Sequence, residues 1–192
     1  MSLEQYSIFL TLALFALFGI LIVSSILYLF VYPVRKHIQS HNYASFLAVI
    51  GLISVASIVG ALIYQLAYLT PVCELCWWQR IFLFPISIIA AVALWHKTRE
   101  AHITIAILAA LGLFYATYHY YHHFQGLVLG NTLALPCSSG GLLPACTDSP
   151  ILIFGFVTIP FMGILVFGSM LILALFAHMK LKRDIKSGIT NS

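Results

Sequence analysis

Four cysteines are the residues best placed to do chemistry in this chain of 192 residues. Cys73 and Cys76 form a C-x-x-C pair, and Cys137 and Cys146 lie further on in a C-x8-C pair. Pro71 ends the region before the first pair, and Cys73-Glu-Leu-Cys76 then opens a run that reads as a helix. A C-x-x-C pair at a helix N-terminus is the arrangement that activates a thiol as part of a redox-active dithiol. Alone the motif is weak, because zinc sites use it too. Arg80 sharpens it. Cys73, Cys76 and Arg80 stand at i, i+3 and i+7, so they share one helix face. The cation is expected about one turn deeper than Cys76. There it can stabilise a Cys76 thiolate and donate hydrogen bonds to an oxygen on an apolar ring.

Each of these residues also has a plainer reading. An arginine near a membrane boundary often snorkels to lipid phosphate. Cys137 and Cys146 could be a structural staple of an exposed loop. Their loop, Pro136 to Cys146, carries two glycines and Pro144, so it can also close a disulfide and present it to another protein. A second pair on the same face favours a thiol–disulfide relay, in which the pairs exchange through a mixed disulfide. Four sulfurs on one zinc ion are disfavoured by the C-x8-C spacing.

Histidines are the other candidates. His119, His122 and His123 lie in Tyr115-Ala-Thr-Tyr-His-Tyr-Tyr-His-His-Phe. One of them could bond an oxygen on an apolar ring or carry its proton. An interfacial belt of polar and aromatic side chains explains His122 and His123 more simply. For His119 the two readings stand level. His37, His41, His96, His102 and His178 lie near the opposite boundary, where a bis-histidine haem is conceivable. They also sit among basic residues, and a solvated loop is the simpler account.

The elements that must hold these residues follow from composition. Hydrophobic residues make up 62% of the chain and charged residues 7%. A soluble domain carries about 25% charged residues, so the chain is read as a membrane protein. The gaps between charges give five apolar spans: Ser7–Val31, Ala44–Leu69, Trp77–Trp95, His102–Tyr121 and Ile151–His178. All are expected to be helices, since a lipid-exposed backbone must satisfy its own hydrogen bonds. The first apolar run is too long for a signal-peptide core and no Lys or Arg precedes it, so a retained helix is expected. Trp77 and Trp95 are separated by ~27 Å of helix, close to one hydrocarbon thickness. Pro85 and Pro160 are expected to kink their spans. Ser54, Ser57 and Gly60 read as close helix-packing positions, and Tyr64 and Gln79 as polar groups that satisfy a neighbouring helix.

Charge sets the orientation. Every Lys and Arg except Arg80 falls in one of three clusters: Arg35 and Lys36; Lys97 and Arg99; Lys180, Lys182, Arg183 and Lys186. In a five-span chain these clusters lie on one side, which the positive-inside rule makes cytoplasmic. The N-terminus and both cysteine pairs are then extracytoplasmic, and the C-terminus is cytoplasmic. The net charge of +4 is thus a topology signal and gives no indication of nucleic-acid binding.

The residues Cys73-Glu-Leu-Cys76-Trp-Trp-Gln-Arg80 resemble the signature of the bacterial DsbB family of disulfide-forming membrane oxidoreductases, most nearly its BdbC branch. The segment Pro136-Cys137 through Pro144-Ala-Cys146-Thr, followed by Phe154-Gly-Phe-Val-Thr-Ile-Pro160-Phe, is similar to that branch as well. The resemblance runs from about Ala44 to His178. The related vitamin K epoxide reductases have the two pairs in the opposite order. The resemblance implies a four-helix transmembrane bundle over residues 44–180, preceded by an extra N-terminal helix and cytoplasmic loop (1–43) and followed by a cytoplasmic tail (181–192). It implies a bound quinone, menaquinone or ubiquinone, near the outer surface beside Cys76 and Arg80. It further implies a DsbA- or BdbD-like thioredoxin-fold oxidase as electron donor, and reoxidation of the quinol by the respiratory chain of a bacterial inner membrane. By position, Cys137 would be attacked by the reduced partner, Cys146 would pass the exchange to Cys73, and Cys76 would face the quinone. The span Ser7–Val31 is extra to the usual four, and the loop from Cys137 to Cys146 is shorter than in proteobacterial members.

Rival classes remain. A stapled receptor or structural protein predicts disulfides that do not exchange. A transporter would usually carry ionisable residues along a path through the spans, and none lies deep here. The same relay run from quinol to partner is a matter of potentials.

Overall fold

Backbone in hydrocarbon has no water to bond, and the chain answers this with helices. The computed structural model describes residues 2–69, 72–127 and 151–188. Six helices occur in it: α1 (Leu3–Phe30), α2 (Tyr32–Ser40), α3 (Tyr43–Leu66), α4 (Glu74–His96), α5 (Ala101–Leu127) and α6 (Ile159–Lys186). All but the short α2 are long and apolar enough to cross a membrane. Among the described residues the sole β feature is an isolated bridge between Ile153 and Val157.

Local chemistry sets the helix ends. Ser2 and Gln5 form a reciprocal capping box at the start of α1, with Gln5 N donating to Ser2 Oγ at 3.3 Å and Ser2 N to Gln5 Oε1 at 3.0 Å. Pro33 sits in the first turn of α2, where its missing N–H costs nothing. That helix replaces the loop expected after the first span. Lys97 closes α4 in the left-handed region at φ 53°. Pro85 lies inside α4.

The last span starts later than its apolar run suggests. Residues Ile151–Thr158 are not helical. Ile153 and Val157 exchange two backbone bonds of 2.9 Å around a turn in which Phe154 and Gly155 have φ of 53° and 77°. Pro160 therefore lies in the first turn of α6 rather than kinking a span, because a residue with no backbone donor suits that position. At the other end α6 continues to Lys186, so the first residues expected as a tail are helical.

The helix α6 is the centre of the bundle and packs against α1, α3 and α5; α3 packs on α4, and α4 on α5. Phe167, Ile50, Ile86, Ile105 and Met170 form the buried core between them. Close approach depends on small residues. A Cβ on Gly112 of α5 would overlap the Phe167 ring of α6. Outward faces carry large apolar side chains such as Phe9, Leu52, Ile88 and Phe114, as lipid contact requires. Trp77, Trp78 and Trp95 are exposed at the two ends of α4, as boundary residues should be.

The end opposite the cysteines holds a buried contact. His102 Nε2 lies 3.1 Å from His178 Nδ1, and His102 Nδ1 lies 3.1 Å from the Arg99 carbonyl and 3.2 Å from Tyr43 Oη. His102 is buried, which corrects its expectation as a solvated loop residue. It ties the starts of α3 and α5 to the end of α6.

Candidate functional site

The site grows from the start of α4. Cys73 is its N-cap residue, in extended conformation, and Cys76 is its third helical residue. One turn of helix therefore brings the two side chains together, and their Sγ atoms are 3.2 Å apart, beyond the ~2.05 Å of a disulfide bond. Cys73 is buried, whereas Cys76 is partly open. The orphan N–H groups of the first turn face the same region, where they favour a negatively charged sulfur.

Arg80, one further turn along, points inward between the helices. Its Nη1 donates to Gln65 Oε1 at 2.6 Å and its Nη2 to the Ala61 carbonyl at 3.3 Å, both on α3. Its guanidinium carbon stands 5.2 Å from the centre of the Trp77 ring. Among the described residues no carboxylate pairs with it. Protein groups thus engage a side chain that the plainer reading sent to lipid phosphate.

Beside these groups lies a cavity of about 300 Å³. Cys76, Arg80, Gln79, Gln65 and Tyr64 line it along with apolar side chains of α1, α3 and α6. Its size is at the lower end of small-molecule sites, which run from roughly 300 Å³ upward, and its apolar walls with a few polar groups match their usual make-up. A flat apolar ring bearing carbonyl oxygens fits that chemistry: the wall is hydrocarbon and the donors are Arg80 and Gln79.

His119 of α5 belongs to the thiol side. Its Nε2 is 3.5 Å from Cys73 Sγ, and its Nδ1 is 3.1 Å from Gln79 Nε2. It is buried and does not line the cavity. The expectation that His119 touches a quinone oxygen thus meets a different placement, in which Gln79 stands between the imidazole and the cavity. Gly163 of α6 makes room for this link, since a Cβ there would come 2.6 Å from Gln79 Oε1. His123 is also buried, at 6.0 Å and edge-on to His119, which corrects its place in a surface belt. His122 does contact the belt rings Tyr118 and Tyr121.

Cys73, Cys76 and His119 place their ligand atoms within 4.8 Å of one another. That is a three-donor set. The remaining expected pair, Cys137 and Cys146, lies outside the described residues, as does Pro71.

Sequence reasoning singled out Cys73, Cys76 and Arg80, and the structure brings them together. It missed Gln65 and Ala61 as the partners of Arg80. The signal available for Gln65 was its polarity inside an apolar span. It also missed Gly163, whose role is visible only once α4 and α6 are adjacent.

Comparison with known proteins gives the chain its relatives. Residues 43–177 match the family described as Disulfide bond formation protein DsbB, which takes in α3 to α6. A probable disulfide formation protein of Coxiella burnetii is 32% identical over 124 residues, covering 65% of this chain and 80% of that protein. Disulfide bond formation protein C of Bacillus subtilis is 30% identical over 126 residues, covering 66% and 87% of the two chains. The SPbeta prophage-derived disulfide bond formation protein B of Bacillus subtilis is 31% identical over 144 residues, covering 74% and 88%. No solved structure is a significant match. With its paired thiols at the head of α4, set in a bundle of membrane-spanning helices, the chain belongs to the DsbB family of membrane proteins that support disulfide bond formation.

Proposed function

We propose that this chain oxidises an extracytoplasmic thioredoxin-fold thiol oxidase and passes the electrons to a membrane quinone, menaquinone or ubiquinone. The observation that carries the reading is the shared lining of one apolar cavity by Cys76 and Arg80. A sulfur at the mouth of a helix and a guanidinium one turn below it face the same space.

A quinone supplies the electron sink, taking up two electrons and two protons. The protein's part is position and charge. Arg80 is held by Gln65 and Ala61, with guanidinium N–H groups left over to hold a ring oxygen. Cys76 is the sulfur open to the cavity, and Cys73 lies behind it, 3.2 Å away, ready to close the disulfide. Gln79 Nε2 donates to His119 Nδ1, which leaves the imidazole proton on Nε2, where it can donate to a Cys73 thiolate. Cys137 and Cys146 would collect the electrons from the partner by thiol–disulfide exchange and hand them to Cys73.

Topology supports the same reading. Lys97, Arg99 and the basic end of α6 lie at the end of the bundle opposite Cys73. The positive-inside rule makes that end cytoplasmic and sets the thiols on the disulfide-permissive side. The family's link to disulfide formation favours net oxidation of the partner over the reverse direction.

The test is reconstitution of the full chain in vesicles with a reduced thioredoxin-fold partner and a quinone. The partner's dithiol should be oxidised beyond the disulfides the protein brings with it only when quinone is present, and Cys137→Ser should stop it. Sustained partner oxidation that needs no quinone would overturn the reading.

A further inference from the structure

The first helix lies outside the residues that match the family, which begin at position 43. An extra span could serve only to fix topology. In that case its inner face should pack tightly on the bundle along its whole length. The structure shows otherwise. Near the cysteine end, Tyr64 Oη of α3 donates to Ser7 Oγ of α1 at 2.9 Å, and the Tyr6 and Tyr64 rings meet edge-on at 5.1 Å. Further along, the Phe18 ring of α1 covers Gly168 of α6 so closely that a Cβ there would lie 2.8 Å away, and Tyr28 meets Phe176 at 5.8 Å. Between these two anchors Phe15 meets Phe161 of α6 at 5.8 Å, and beside that contact the cavity leaves a gap along α1.

Leu10, Ala13, Leu14 and Leu17 of α1 line that gap. Their spacing, i, i+3, i+4 and i+7, puts them on one helix face. Small residues of α3 and α6, among them Ala56, Gly60 and Gly163, line the same cavity. The outward face of α1 carries Leu12, Val23 and Ile26, which are exposed. One face of the helix is thus built toward the ligand space and the other toward lipid.

We propose that α1 is the selecting wall of the quinone cavity, with Leu10, Ala13, Leu14 and Leu17 in contact with the ring and its substituents, so that the site is complete only with this helix. The proposal rests on the quinone reading above. The bundle core α3–α6 supplies the reactive groups, whereas α1 sets how bulky a substituted benzoquinone or naphthoquinone can be and still lie beside Cys76 and Arg80.

The experiment uses the full chain and two substitutions of opposite effect. Ala13→Phe puts a ring into the gap and should raise the KM for a short-chain benzoquinone by about tenfold or more, leaving the rate of exchange with a reduced dithiol partner unchanged. Leu14→Ala widens the gap and should shift the kcat/KM ratio toward a naphthoquinone by at least about threefold. Leu12→Phe, on the lipid face, should change neither quantity. A photoreactive azido-benzoquinone should in addition label the stretch from Leu10 to Leu17 in the unmodified protein. Wild-type KM and ring preference in both cavity variants, or labelling of α4 with none on α1, would overturn the role of α1 while leaving quinone coupling intact. Absence of label on any helix, together with absence of quinone reduction by the unmodified protein, would overturn both.

Discussion

Replacing Arg80 with alanine tests the electrostatic half of the site. A guanidinium has five N–H donors, and the contacts to Gln65 and Ala61 use Nη1 and Nη2 once each. The remaining donors are free to serve the cavity that Arg80 lines. A hydrogen bond to a charged group is worth about 1.5–3 kcal/mol. If Arg80 supports the negative charge that develops on a ring oxygen, its loss should slow quinone reduction roughly 10- to 150-fold, at about 1.4 kcal/mol per factor of ten. Arg80→Lys should fall between, because an ammonium keeps the charge and loses the planar fork. The substitution also strips Gln65 and the Ala61 carbonyl of a donor, so thermal stability has to be followed in the same preparations. The assay is stopped-flow absorbance of the quinone after mixing with pre-reduced protein, with exchange against a dithiol partner measured in parallel. Quinone reduction at the wild-type rate in Arg80→Ala would refute the role. An equal fall in both reactions would refute it too, because it would point to a general structural defect.

Other outcomes follow from the same geometry. Cys137→Ser should block exchange with the partner and spare quinone reduction by chemically reduced Cys73 and Cys76, as a gel-shift assay with a thiol-reactive probe would show. Gly163→Ala pushes a methyl group to within 2.6 Å of Gln79 Oε1 and should loosen the Gln79–His119 contact, cutting turnover several-fold; unchanged kcat would remove that contact from the reaction. Gly112→Ala should lower stability by about 1–3 kcal/mol through overpacking against Phe167, read as a lower Tm in detergent. Ser7→Ala and Tyr64→Phe should each destabilise the seating of α1 by about 1 kcal/mol, and the double variant should cost little more than either alone, since both remove one 2.9 Å bond.

Much of the fold was legible because lipid punishes charge so heavily. The gaps between Glu4, Arg35, Glu74, Lys97, Asp148 and Lys180 were enough to find five spans, and among the described residues five helices can cross. Helix ends were less legible. Ile151–Thr158 is apolar enough to extend a span, yet the left-handed turn at Phe154 and Gly155 folds it into a hairpin buried against Tyr6 and Tyr64. Helical spacing aligned Cys73, Cys76 and Arg80 correctly, because they lie on one element. Contacts between elements were beyond its reach. An apolar helix in a membrane has no polar face to reveal which side meets its neighbours, so the pairing of Arg80 with Gln65 stayed hidden. The burial of His123 and the cavity-facing stripe on α1 were hidden for the same reason.

The central claim is that electrons leave the protein from Cys76 into a quinone seated beside Arg80. A single turnover of fully reduced, purified protein with one equivalent of quinone tests it most directly. Counting both products should give one quinol for each protein disulfide formed, and no quinol from Cys76→Ser. Disulfide formed without matching quinol, or quinol produced at the wild-type rate by Cys76→Ser, would contradict the account.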